Sequence, residues 1–224
     1  MTPVPCSPLT QHLIVFGGTF DPPHEGHVQL TSAARDVIDA KASLLFVPAA
    51  VSPFKVGLAA TPAEHRAAML RLAIAPLRDA YMWTDEIDRA KLSSTTPSFT
   101  IDTITRLQSQ LPNARITLLI GADQAASFHK WRDATQLLPH VRVLLRDPHT
   151  EADSLLSALR ATEVWTSDQL TTWHKSTLLL PLALHPARST DIRQRIAATS
   201  IDSVPPNWLN PAVAQYISRH ALYS

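Results

Sequence analysis

Cysteine occurs once in this chain, as Cys6. A lone thiol builds no intramolecular disulfide framework, and it fits a reducing cytoplasm. It also argues against structural zinc, which takes three or four Cys, His or carboxylate ligands. Charge of one sign is missing too: 20 Lys and Arg stand against 19 Asp and Glu, a net charge of +1. No basic stripe calls for a nucleic-acid partner, so the field that draws a ligand must be local. Long apolar runs are absent as well. The longest, residues 178–184, is interrupted by Pro181 and falls far short of the roughly 20 residues a membrane span needs, so no membrane partner is expected. Residues 1–11, MTPVPCSPLTQ, lack the cationic start and apolar core of a signal peptide and read as a flexible tail. Residues 12–224 belong to a chain that is 45% hydrophobic, enough for one substantial core, and read as a single domain with a C-terminal helical portion.

Glycine is scarce, yet three of the five fall within residues 17–27, GGTFDPPHEGH, directly after the apolar run 12–16. This reads as a strand, a tight turn and the opening of a helix. Gly17 and Gly18 carry no Cβ, so a ligand can lie against their backbone. The turn after a parallel strand aims free N–H groups and the positive end of a helix dipole at whatever sits above it, which suits a phosphate. Pro22 and Pro23 stiffen the turn. His24 and His27 are three apart, which puts them on one helix face, able to donate two hydrogen bonds to a phosphoryl group. A Gly-Gly turn or a pair of histidines taken alone has ordinary explanations; the unbroken strand, turn and helix is what makes the signal specific.

Apolar runs of strand length alternate with helical periodicity along the chain. Strands are expected at residues 12–16, 43–47, 81–83, 115–120, 141–145 and 178–182. Helices are expected at about 25–39, up to 75 from an N-cap at Thr61 with Pro62 at the first helical position, 98–110, 152–159, 190–198 and 211–222. That order implies an α/β fold with a doubly wound, Rossmann-like parallel sheet and right-handed crossovers. Ligands bind such sheets at the carboxyl ends of the strands, where strand order reverses.

The stretch GGTFDPPHEGH resembles the nucleotidylyltransferase form of the HxGH signature, here His24-Glu25-Gly26-His27. Its TFDPxH variant is characteristic of bacterial nicotinate-nucleotide adenylyltransferases and phosphopantetheine adenylyltransferases. Residues 189–193, STDIR, resemble the same family's C-terminal SSTxIR motif, and residues 96–103, TPSFTIDT, its TPSYTxxT segment with Phe99 in place of the common Tyr. That segment, the length, and a GAD turn at residues 121–123 followed by Trp131 favour the nicotinate-nucleotide branch over the pantetheine one. From the residues alone, Asp123 is a helix cap and Trp131 a core filler.

The resemblance implies a nucleotidylyltransferase fold and a transfer of AMP from ATP to nicotinate mononucleotide, giving the adenine dinucleotide and pyrophosphate in NAD biosynthesis. It assigns His24 and His27 to catalysis and puts ATP against Gly17, Gly18, Thr19, Phe20, Lys55, Ser189, Thr190 and Arg193. It puts the mononucleotide against Thr96, Asp123, Trp131 and Arg132, with the pyridine ring on Trp131. Lys55 ends a loop that usually reads Pro-His-Lys, with Phe54 where the His stands; a lone loop lysine is otherwise a solvated one. Mg²⁺ is expected to come with ATP, held by phosphate oxygens and water rather than by protein ligands. Arg66, next to His65, reads as structural. The alternatives are a phosphopantetheine-type transferase and a non-catalytic nucleotide-binding module. A nicotinamide-dependent dehydrogenase would need GxGxxG, a spacing that Gly17-Gly18-Thr19-Phe20 breaks.

Overall fold

The computed structural model describes residues 2–50, 61–92, 98–145, 148–178 and 185–224. Its elements in chain order are β1 (His12–Gly18), α1 (Glu25–Asp39), β2 (Ser43–Pro48), α2 (Ala63–Ile74), β3 (Ala80–Met82), α3 (Asp85–Leu92), α4 (Thr100–Gln110), β4 (Arg115–Gly121) and α5 (Ala122–Ala126). They continue with α6 (Ala134–Leu137), β5 (Val141–Leu144), α7 (Pro148–Ala161), α8 (Ser167–Ser176), β6 (Thr177–Leu178), α9 (Ser189–Ala198) and α10 (Pro211–Arg219). Among the described residues the strands form one sheet in the order β3-β2-β1-β4-β5-β6, and every pair is parallel. The doubly wound parallel architecture expected from the strand–helix alternation is therefore the one present.

The near-continuous apolar runs follow from burial on both faces. Side chains alternate across a strand. On β1, Leu13 and Val15 enter one core with Leu118, Val143, Leu107 and Phe128, while Ile14 enters the opposite core with Leu44, Phe46, Leu70 and Leu119. A third apolar cluster joins Val28 of α1 and Met69 of α2 to Ile192 and Ile196 of α9 and Val213 and Ile217 of α10. This cluster carries the start of α9 to the start of α1. Strand order reverses at β1, between β2 and β4, so the cleft lies above Gly17, Gly18 and Gly121.

Several local expectations are corrected. Pro62 is the N-cap of α2 (φ −47°, ψ 141°), not its first helical residue. Thr61 therefore sits outside the helix, its N–H on Asp21 Oδ2 at 3.3 Å and its carbonyl accepting from Arg66 Nε at 2.9 Å. Helix α4 starts at Thr100, two residues later than expected, because Phe99 takes an extended N-cap conformation. Helices α3 and α8, DEIDRAKL and SDQLTTWHKS, are not among those expected: each is mostly polar and carries few apolar residues. The stretch read as a flexible tail makes contacts with the body: the Val4 N–H donates to Gln110 Oε1 at 3.0 Å, the Thr2 carbonyl accepts from Trp83 Nε1 at 3.3 Å, and Cys6 is buried. The expected strand at 178–182 is described only to Leu178.

Candidate active site

The site is assembled on the turn that leaves β1. A Cβ on Gly18 would meet the Phe20 ring at 3.0–3.3 Å, so glycine there lets Phe20 fold back over the strand end with its backbone left-handed at φ 51°. Gly17 differs. A Cβ there would find within 4 Å only the Val47 carbonyl oxygen, at 3.9 Å, so packing inside the protein makes no demand for glycine, and a bare backbone offers close approach to a ligand. A Cβ on Gly26 would meet the His24 ring at 3.0 Å. The glycine of the HEGH motif is what allows that ring to lie against the first turn of α1.

His24 is the N-cap of α1, in extended conformation (φ −140°, ψ 168°) and buried. Its backbone N–H donates to His27 Nδ1 at 3.2 Å, and the two imidazoles stack with centroids 3.7 Å apart. Because Nδ1 of His27 accepts, the neutral ring carries its proton on Nε2, which makes that atom a donor. The edges of Phe20 and Phe16, at 5.2 and 6.1 Å between centroids, hold the His27 ring from the sides. The result is a fixed pair of rings at a helix start, where an anion is favoured.

Helix α9 closes on this turn. Ser189 Oγ donates to the Pro22 carbonyl at 2.8 Å, and Arg193 Nη1 donates to the Asp21 carbonyl at 2.6 Å. The two distant motifs are therefore one structure, with Ser189 and Arg193 tied to the turn itself and Thr190 exposed beside them. Arg66, almost completely buried, donates to the carbonyls of Thr19 (2.7 Å), Ala49 (2.8 Å), Ala50 (3.1 Å) and Thr61 (2.9 Å). That is the structural role read from the sequence: a guanidinium replaces water for four loop carbonyls. Burial pushes its pKa down, with Asp21 opposing the shift. Asp21 and Tyr223 were not singled out in the sequence, yet the Tyr223 hydroxyl donates to Asp21 Oδ1 at 2.7 Å. No local motif announces a contact between positions 202 apart.

The other side of the cleft is built by β4, α5, the turn after it and α4. Asp123 Oδ1 lies 2.7 Å from where a Gly121 Cβ would stand, so its exposed side chain folds over the strand end. Trp131 is half-buried, its ring 4.9 Å from that of Phe128. Exposed Arg132 places its guanidinium carbon 4.9 Å from the centre of the Phe99 ring. The structure thus joins Phe99 of the TPSFTIDT segment to the Trp131-Arg132 turn. Beneath it, Thr103 Oγ1 donates to buried Glu86 Oε1 at 2.9 Å, and Arg89 and Arg106 pair with fully buried Asp85 at 2.9 Å each. Lys55 and Thr96, with Phe54, lie outside the described residues.

A cytidylyltransferase-like family model matches residues 15–195, from β1 into α9 and so across both motifs. A curated relative from Neisseria gonorrhoeae, described as a probable nicotinate-nucleotide adenylyltransferase, is 32% identical over 212 residues, covering 93% of this chain and 96% of its own. The chain belongs to the nicotinate-nucleotide adenylyltransferase family. A relative of the same description from Laribacter hongkongensis is 36% identical over 218 residues, 93% of each chain. Among solved structures, Plasmodium falciparum nicotinic acid mononucleotide adenylyltransferase complexed with NaAD superposes with a TM-score of 0.69 at 15% identity, over 95% of this chain and 97% of its own. At that identity the likeness speaks for the family's fold.

Proposed function

We propose that the protein transfers the adenylyl group of ATP to nicotinate mononucleotide, forming the adenine dinucleotide and releasing pyrophosphate. The observation that carries this reading is the stacked His24–His27 pair at the start of α1, above a strand end stripped of Cβ atoms at Gly17 and Gly18. Curated relatives of this description over nearly the whole chain support the acceptor. A phosphate oxygen of the mononucleotide attacks the α-phosphorus of ATP in line, the bond to the bridging oxygen breaks, and pyrophosphate leaves. No side chain forms a covalent bond, so catalysis is positioning and charge stabilisation. His27 Nε2 donates to an α-phosphate oxygen as negative charge builds, with the His24 ring beside it. Gly17, Gly18, Thr19 and Phe20 offer backbone to the phosphates. The start of α9, with Ser189, Thr190 and Arg193, faces the departing pyrophosphate, and Lys55 is proposed to reach the same phosphates.

The mononucleotide stacks its pyridine ring on Trp131, with its carboxylate toward the donors near Thr96 and Arg132 and with Asp123 at the cleft rim. Among the described residues no group of three or more His, Cys, Asp or Glu is placed to hold a metal ion. Mg²⁺ is proposed to enter with the ATP substrate, on phosphate oxygens and water, and no step assigned to the chain's own residues runs through it. No helix among the described residues is long and apolar enough to cross a membrane, and with Cys6 a free thiol a cytoplasmic location fits.

Pyrophosphate release from Mg²⁺–ATP tests the reading with four acceptors: nicotinate mononucleotide, nicotinamide mononucleotide, phosphopantetheine and none. A pocket of donors penalises the amide, which offers a donor back, so nicotinate mononucleotide should exceed it by about a hundredfold or more in kcat/KM. Preference for phosphopantetheine, or binding of ATP with no turnover on any acceptor, would overturn it.

A further inference from the structure

The chain leaves α10 by a path that costs conformational energy. Ala221 (φ 48°) and Tyr223 (φ 69°) both sit in the left-handed region, which disfavours residues carrying a Cβ. Such conformations persist only where the surroundings over-determine them. Here Leu222 and Tyr223 pack against the cluster of Met69, Ile192, Val213 and Ile217, and the turn delivers the Tyr223 hydroxyl to Asp21. That hydroxyl donates to Asp21 Oδ1 at 2.7 Å and also bonds the Thr61 side chain, in a site whose burial pushes the phenol's pKa far up, so it remains a donor throughout the working pH range.

Asp21 is the hub of the turn. One carboxyl oxygen takes the Tyr223 hydroxyl, the other takes the Thr61 N–H at 3.3 Å, and its backbone carbonyl takes Arg193 Nη1 at 2.6 Å. Three segments remote in sequence thus converge on a buried residue that adjoins Phe20, whose ring sits against His27, and precedes His24 by three positions. We propose that Tyr223 is a positioning residue: through Asp21 it holds the 17–24 turn in the shape that receives the phosphates of ATP. It touches no substrate. The inference rests on the proposed adenylyl transfer for its meaning, and Tyr223 itself lies beyond residues 15–195, which the family model matches.

The test compares the full-length protein with Tyr223→Phe, Asp21→Asn and the double variant, with Tyr216→Phe as control. Tyr216 sits on α10, ahead of the turn that carries Tyr223, and its hydroxyl lies 3.0 Å from His65 Nδ1. Two readouts are used: calorimetric Kd for a non-hydrolysable ATP analogue and for nicotinate mononucleotide, each alone, and pyrophosphate release. Loss of one buried hydrogen bond at the hub should weaken the ATP analogue, and lower kcat/KM for ATP, by about tenfold. Mononucleotide Kd should stay within about twofold and Tm within about 3 °C. The double variant should be no worse than the poorer single one, because both remove the same link, and Tyr216→Phe should match the wild type. Unchanged ATP parameters in Tyr223→Phe would overturn the proposal. So would parallel weakening of both ligands with a large fall in Tm, which marks a purely structural role. A wild type that binds the ATP analogue without releasing pyrophosphate would sink the proposed reaction instead, and the Kd comparison would still decide the role of Tyr223.

Discussion

The two sides of the cleft are built in opposite ways. The β1–α1 side is buried and held by directional bonds from far along the chain: Ser189 on Pro22, Arg193 and Tyr223 on Asp21, Arg66 on Thr19. The Trp131 side presents a half-buried ring, an exposed Asp123 and an exposed Arg132, joined by ring and cation–π contacts. A transition state with charge on phosphate oxygens is best served by groups that need no reorganisation when the charge appears, and the first side has that character. A pyridine ring needs a flat face and a few donors, which exposed residues supply at lower precision. The difference teaches that one half of the cleft is fixed by bonds from remote segments, while the other keeps its side chains exposed.

The sharpest way to break this contrast is His27→Ala. If the imidazole acts on developing charge, turnover should fall by about a hundredfold or more, as for loss of an oxyanion donor, while stability changes by only about 1 kcal/mol, the value of a helix-start contact. A variant that unfolds but turns over normally when folded would contradict it. His24→Ala makes a poorer probe because His24 is the buried N-cap and the packing partner of Gly26.

Next in size is Gly17→Ala. Its Cβ meets nothing closer than 3.9 Å inside the protein, so Tm should hold within about 2 °C, yet on the proposed reading the methyl would stand where phosphate approaches. Affinity for an ATP analogue should drop by about thirtyfold, roughly 2 kcal/mol. Gly18→Ala, driven into the Phe20 ring, should instead lose stability. If Gly17→Ala binds ATP normally, the backbone-approach argument fails.

On the other side, Trp131→Ala should raise KM for the mononucleotide about tenfold, in keeping with the loss of one stacking face, with KM for ATP within about twofold. Steady-state kinetics with each substrate varied in turn decide it, and equal effects on both would erase the division between the halves.

The smallest expected effect lies under the Trp131 side. Burial pushes the Glu86 carboxyl up, opposed by the Thr103 hydrogen bond and by Arg89 and assisted by Asp85 and Asp102. The folded protein therefore holds that proton to higher pH than the unfolded chain, and the stability it represents is complete below about 4.5 and lost as pH rises through the folded value. Glu86→Gln keeps an acceptor for Thr103 without the charge. Its Tm should match the wild type near pH 4.5 and exceed it by about 2 °C at pH 8. A gap that is independent of pH would remove Glu86 from the account.

The sequence made the first side legible because its signal is local: a strand, two glycines and two histidines within one turn of chain, with Ser189 to Arg193 repeating a second known pattern. Helix α3 stayed hidden because much of its burial is through polar pairs, such as Asp85 with Arg89 and Arg106, and helix α8 because Trp173 and Leu170 alone tie a mostly polar segment to the core. Thr61 looked like a cap by composition, but tertiary bonds to Asp21 and Arg66 claimed its backbone. Tyr223 was invisible for a deeper reason: its role exists only once α10 has packed. The roles proposed for Asp123, Trp131 and Arg132 come only from resemblance, since their own sequence context reads as cap, core and surface.

The fate of the α-phosphorus tests the central claim most directly. With ATP labelled at that atom, Mg²⁺ and nicotinate mononucleotide, the label should pass into the dinucleotide, one equivalent for each pyrophosphate released, and stay in ATP when the mononucleotide is left out. Label appearing as free AMP, or as ADP, would contradict adenylyl transfer to this acceptor.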